Sequence, residues 1–142
     1  MKFVDSIYSC SPINEPVLID LLQTRAMQRL QGVYQHGVTA ILGITQPVTR
    51  YEHSLGVWHL VKRFGGSLEE QITALIHDVS HSVFSHVIDY LADGRQITNF
   101  HDEYKEFYVA GTELPEVLGR YGELKKISIE SFSILKRIQV TW

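Results

Sequence analysis

The sequence predicts an all-α fold, a helical bundle, on three observations. Apolar residues recur at helical spacing, period-two alternation is nearly absent, and glycines, prolines and capping side chains stand where helices would start and stop. No stretch is convincing enough to build a sheet.

Asn14 is placed to cap a helix opening near Pro16, where a missing N–H costs nothing, and Val17, Leu18, Ile19, Leu21 and Leu22 supply its apolar face. Thr24 caps a second helical stretch through Ala26, Met27 and Leu30 that ends near Gly32. From Gly37 to Pro47 the chain reads as a loop of the kind that passes over a site. Between Arg50 and Phe64, Leu55, Trp58 and Val61 separate from Glu52, Lys62 and Arg63 on helical spacing, and Gly65-Gly66 ends the run. Ser67 with Glu70 has the capping-box form ahead of Ile72, Leu75 and Ile76. Further on, Gly94 and Gly111 punctuate helices, Asn99 is placed to cap Phe100 to Ala110, and Pro115 fits the first turn of another helix.

Composition bounds what such a bundle does. The 142 residues fit one domain spanning 1–142, and 44% hydrophobic against 20% charged residues is enough apolar material to exclude global disorder. Thirteen basic against 16 acidic side chains, net −3, give no cationic field for duplex nucleic acid, although a local anion pocket stays open. Cys10 stands alone and cannot form an internal disulfide. No apolar run nears the roughly 18 residues of a membrane span, and the N-terminus lacks a secretory pattern, so a soluble, cytoplasmic protein is expected.

The chemistry concentrates in histidines. Six of the seven fall in the middle third or just beyond it, and five of these (His53, His77, His81, His86 and His101) point to a metal. His77 and Asp78 follow the apolar turn Ala74-Leu75-Ile76, and an ionisable pair at such a place needs a partner: a cation, an arginine or a water network. The second such pair, His101-Asp102, lies at a polar helix start where the helix dipole accounts for the acids. His36 and His59 read as packing or surface residues, and Tyr34, Tyr51, Trp58 and Phe84 as core.

The blocks Thr49-Arg50-Tyr51-Glu52-His53 and His77-Asp78-Val79-Ser80-His81, continuing through His86 to Asp89, resemble the signature segments of the HD-domain metal-dependent phosphohydrolases. The likeness is to the deoxynucleoside triphosphate triphosphohydrolase branch and runs from about Gln28 to His101. It implies an HD-like bundle, a divalent metal (manganese, iron, magnesium, zinc, nickel or cobalt) on His53, His77 and Asp78, and a small phosphate substrate, a nucleotide or deoxynucleotide. It also implies substrate contacts from Arg50, His86 and Gln35, and catalytic roles for His81, Asp89 and His101. Arg50 and His53, three apart, share a helix face, so a guanidinium would grip phosphate beside the metal ligand, Asp89 or His101 would relay a proton, and His81 with His86 would touch phosphates. Singly, Arg50 also reads as a surface residue pairing with Glu52 or Glu69, His81 and His86 as bonded to backbone carbonyls, and Asp89 as a helix cap.

Two departures stand out. Ser80 replaces a glycine usual in the family, for which a small backbone adjustment and an intact site are expected. No aspartate follows Asp102, whereas the family's fourth ligand is a late aspartate. The expectation is a C-terminally short domain with impaired activity and an exposed apolar face inviting homo-oligomers. An iron oxygenase on the same ligands and an inactive metal- or nucleotide-binding fragment are the alternatives.

Overall fold

The computed structural model describes residues 2–5, 9–83, 105 and 107–122 of the chain. An antiparallel hairpin comes first, β1 (Lys2–Asp5) against β2 (Ser9–Pro12), with Lys2 opposite Pro12 and Asp5 opposite Ser9. The sequence reading contains no such hairpin, because four residues are too few to establish a period-two pattern, and neither Lys-Phe-Val-Asp nor Ser-Cys-Ser-Pro alternates cleanly. The other elements among the described residues are helices, as predicted. Among the described residues no helix is long and apolar enough to cross a membrane.

Helix α1 (Pro16–Gln23) starts at the predicted proline, but Glu15 rather than Asn14 occupies the N-cap and makes no side-chain cap bond. Proline at the first turn already removes one donor that a cap would otherwise serve. Thr24 both ends α1 and caps α2 (Arg25–Gln28), its hydroxyl oxygen accepting from the Met27 N–H at 3.3 Å. The chain tightens into a 3-10 turn, Arg29–Gly32, and the expected loop after Gly37 contains one further short helix, α3 (Val38–Ile41). Gly37 at φ 53° makes the sharp entry into it.

Helices α4 (Arg50–Arg63) and α5 (Leu68–Ile76) position the site. Both open on reciprocal capping boxes, Thr49 with Glu52 and Ser67 with Glu70. Between them Gly65 adopts φ 78°, and a Cβ on Gly66 would lie 2.9 Å from the Val61 carbonyl oxygen, so the chain reverses tightly and α5 packs back along α4. The first turn of α4 consequently meets the end of α5.

The core beneath them holds Leu18, Leu21, Leu22, Met27 and Leu30 from the early helices, Leu55 and Trp58 from α4, and Ile72, Leu75 and Ile76 from α5. Val109, from the helical residues 107–110, and Leu114, Val117 and Leu118 of α6 (Leu114–Gly119) complete it. Polar ties close the edges: Tyr121 donates to Asp20 at 2.7 Å, and Lys62 donates to the Pro12 carbonyl at 2.7 Å while lying over the Trp58 ring.

Because the Thr49 cap sets the first turn of α4, where two site residues stand, its loss acts on both fold and site. Thr49→Ala is expected to cost about 1 kcal/mol of stability, read by denaturant unfolding. An unchanged midpoint would show that the cap contributes nothing.

Candidate metal centre

Two elements bring the site together. Arg50 and His53 occupy the first turn of α4, and His77 and Asp78 follow directly on the last turn of α5. The segment before α4 is itself pinned, with the Arg50 N–H donating to the Val33 carbonyl at 2.7 Å and the Gln35 N–H to the Val48 carbonyl at 2.8 Å. Gln35 is thereby carried beside the start of α4.

At the centre, His53 Nε2 and His77 Nε2 stand 3.3 Å apart. Asp78 Oδ1 is 3.4 Å from His77 Nε2, and Asp78 Oδ2 is 3.9 Å from His53 Nε2. One ligand atom from each of the three residues falls within 4.8 Å of the others. His77 Nδ1 lies 2.7 Å from the Ala74 carbonyl, which can only accept, so Nδ1 carries the proton and a neutral His77 presents a bare lone pair at Nε2.

These residues fit a metal. Two nitrogens about 2.1 Å from one tetrahedral ion are roughly 3.4 Å apart, close to the observed 3.3 Å. Two lone pairs aimed at one point repel unless a proton or a cation lies between them. Nitrogen donors with one carboxylate suit manganese, iron, cobalt, nickel or zinc better than calcium or magnesium, which prefer all-oxygen shells.

The charges agree. Burial is the main influence holding His53 and His77 below the ordinary histidine range; mutual repulsion and Arg50 act on His53 in the same direction, while Asp78 opposes it at both. For Asp78, burial alone would raise the carboxyl, but His77, His81, Arg50 and His53 outweigh it and hold it low. Near pH 7 the site is two neutral imidazoles and a carboxylate, the protonation state a metal requires. Metal binding at pH 7 should therefore release few protons, so its calorimetric heat should be the same in buffers of different ionisation enthalpy. A buffer dependence worth a full proton would contradict these directions. The apo protein should also lose stability as pH falls below about 6.5, because the unfolded chain takes up the histidine protons first.

Arg50 differs from both of its readings as a lone residue. It is a buried cation, 1% exposed, whose Nη1 donates to Asp78 Oδ2 at 2.6 Å, while Glu52 closes the capping box with Thr49 instead. His81 is also buried, with Nδ1 3.5 Å from Asp78 Oδ1. The turn that carries Ser80 closes through the His81 N–H on the Asp78 carbonyl at 3.0 Å, and His53, His77 and Asp78 converge with serine in place. Gln35 is half-buried, and its Oε1 is shielded from solvent with no hydrogen-bond partner among the described residues. His86, Asp89 and His101 lie outside the described residues, as does Phe84. Of the histidines read as packing or surface, His59 is buried beside Trp58 and His36 is exposed.

Arg29 escaped the sequence reading. Its guanidinium donates to the His81 carbonyl at 2.9 Å, to the Val79 carbonyl, and through Nε to the Tyr108 hydroxyl at 2.6 Å. The available signal was a cation set between Met27 and Leu30, two apolar residues expected inside, where a charge needs partners.

Comparison with known proteins bears on the same residues. The chain is 46% identical over 123 residues to the metal-dependent phosphohydrolase cns2 of Cordyceps militaris, covering 87% of this chain and 36% of that protein. It is 40% identical over 122 residues to the uncharacterized protein YdhJ of Bacillus subtilis (strain 168), covering 86% and 37%. The deoxynucleoside triphosphate triphosphohydrolase SAMHD1 of Gallus gallus is 29% identical over 129 residues, 75% of this chain and 21% of that one. The chain thus spans little more than a third of the length of the first two relatives. A family model described as HD domain matches residues 50–137, opening on Arg50 and taking in His53, His77 and Asp78. With that match over more than half of its length and a His-His-Asp cluster assembled inside it, the chain belongs to the HD-domain family.

Proposed function

We propose that this chain carries the metal and phosphate site of a metal-dependent phosphohydrolase acting on nucleotide or deoxynucleotide phosphates. The observation that carries the reading is the convergence of His53, His77 and Asp78 next to a buried arginine. The chain's similarity to the metal-dependent phosphohydrolase cns2 and to the deoxynucleoside triphosphate triphosphohydrolase SAMHD1 supports it. A divalent ion held by the three residues would supply Lewis acidity and a water of lowered pKa.

The chain's own groups do the rest. Arg50 brings a guanidinium whose planar fork donates to a carboxylate or to a phosphate, and it sits where phosphoryl charge needs neutralising. His81 Nδ1, beside Asp78 Oδ1, is the group we assign to proton transfer. Gln35 Oε1, which has no hydrogen-bond partner among the described residues, is the atom we assign to accept a hydrogen bond from a hydroxyl of the substrate's sugar. We assign His86 to substrate phosphate and Asp89 and His101 to proton relay on the family resemblance. An oxygenase would share the three ligands, but the arginine in contact with the ligand carboxylate favours phosphate. With no aspartate after Asp102, turnover by these 142 residues alone should be weak. Exposed Val38, Ile41, Leu42 and Ile44 in one short stretch support the expected self-association.

The test is incubation of the manganese-loaded protein with ribo- and deoxynucleoside mono-, di- and triphosphates and cyclic nucleotides, following released phosphate, pyrophosphate and triphosphate. Metal-dependent release, or nucleotide binding tightened by metal, that disappears in His77→Ala is the expected result. Nucleotide binding indifferent to both metal and His77→Ala would overturn the reading.

A further inference from the structure

At the His77-Asp78 dyad the chain leaves helix α5 and runs through a turn at residues 77–80. Such a turn lacks the hydrogen-bond ladder of a helix. Its internal bonds are Val79 N–H to the Ile76 carbonyl at 3.1 Å and His81 N–H to the Asp78 carbonyl at 3.0 Å. Those two bonds leave the Val79 and His81 carbonyls to be served from elsewhere, and Arg29 serves both.

We infer, on the basis of the metal centre described above, that Arg29 is a positioning residue for that centre. It holds Asp78 and His81 at their stations by clamping the turn from behind. The geometry suits the task. A planar guanidinium donates in two directions at once, to the two carbonyls and to the Tyr108 hydroxyl, and it also lies 4.9 Å from the centre of the Tyr108 ring. Its own base is fixed, since Met27 and Leu30 on either side are fully buried. The α5 side of the dyad is held by the His77 bond to the Ala74 carbonyl, so the clamp secures the opposite side. One side chain therefore links the 3-10 turn, the dyad turn and the helical residues 107–110. Lysine cannot replace it, because a single ammonium does not span three acceptors in this arrangement.

Groups that orient metal ligands typically contribute about 10- to 100-fold in affinity. The test is manganese affinity by calorimetry, well below the melting temperature, for the unaltered chain, Arg29→Lys, Tyr108→Phe and the core truncation Val117→Ala. Amide exchange of the apo forms accompanies it. Arg29→Lys should weaken manganese binding by about 10-fold or more and speed exchange at Val79 and His81 while leaving α4 amides unchanged. Tyr108→Phe, which spares both carbonyl bonds, should change affinity by less. Val117→Ala should lower the melting temperature without weakening the metal. If Arg29→Lys binds manganese as the unaltered chain does, or weakens it no more than Val117→Ala at equal loss of melting temperature, the positioning role is wrong and the metal site stands. If the unaltered chain binds no manganese, the site and the inference fall together.

Discussion

Asp78→Ala is expected to destabilise the apo protein by about 3–5 kcal/mol and to abolish divalent-metal binding. The reason lies in what remains behind. Arg50 is 1% exposed, and Asp78 offers it a carboxylate oxygen at 2.6 Å. Removing Asp78 takes from this buried cation a carboxylate that offsets the cost of its desolvation. Against a total stability of about 5–15 kcal/mol this is a large fraction, visible as a fall in melting temperature of about 10 °C or more. The double substitution Arg50→Met with Asp78→Leu should restore most of the stability, since apolar replacement of both members of such a pair is often neutral, yet it should still bind no metal. An Asp78→Ala protein as stable as the unaltered chain would mean that the pair is not buried as described.

His77→Ala should separate the two properties. The proposed ligand nitrogen is Nε2, while Nδ1 bonds the Ala74 carbonyl, so the apo protein loses one hydrogen bond, worth about 1 kcal/mol. Metal affinity should drop by about 100-fold or more, because a two-ligand remnant neither encloses the ion nor retains the tautomer-fixed donor. At a metal concentration near 100 times the dissociation constant, the unaltered protein gains about 2.7 kcal/mol from binding, and His77→Ala should gain almost none. Thermal scans with and without manganese read both quantities at once. Equal metal-induced stabilisation in the two proteins would remove His77 from the ligand set.

The helices were legible because their end signals are local. Pro16, Thr24, Gly65-Gly66 and the Ser67 to Glu70 box each act within a turn of where they stand, and each appears in the structure where the sequence put it. The Thr49 to Glu52 box has the same spacing and was equally readable. The candidate triad was legible through residue type and family resemblance, and the reversal between α4 and α5 accounts for the convergence of its three residues. What escaped depends on distant partners. Nothing near Arg50 in sequence says that it is buried against Asp78, 28 residues away, and nothing near Arg29 says that it reaches carbonyls about 50 residues on. The hairpin at the N-terminus escaped for a different reason, since its strands are shorter than the pattern that would reveal them.

The most direct measurement is electron spin-echo spectroscopy of the protein loaded with one equivalent of manganese, which detects nitrogen nuclei bound to the ion. Modulation from two imidazole nitrogens is expected, falling to one in His53→Ala and in His77→Ala. A spectrum without imidazole nitrogen, or one that neither substitution alters, would contradict a metal centre built on these two helices.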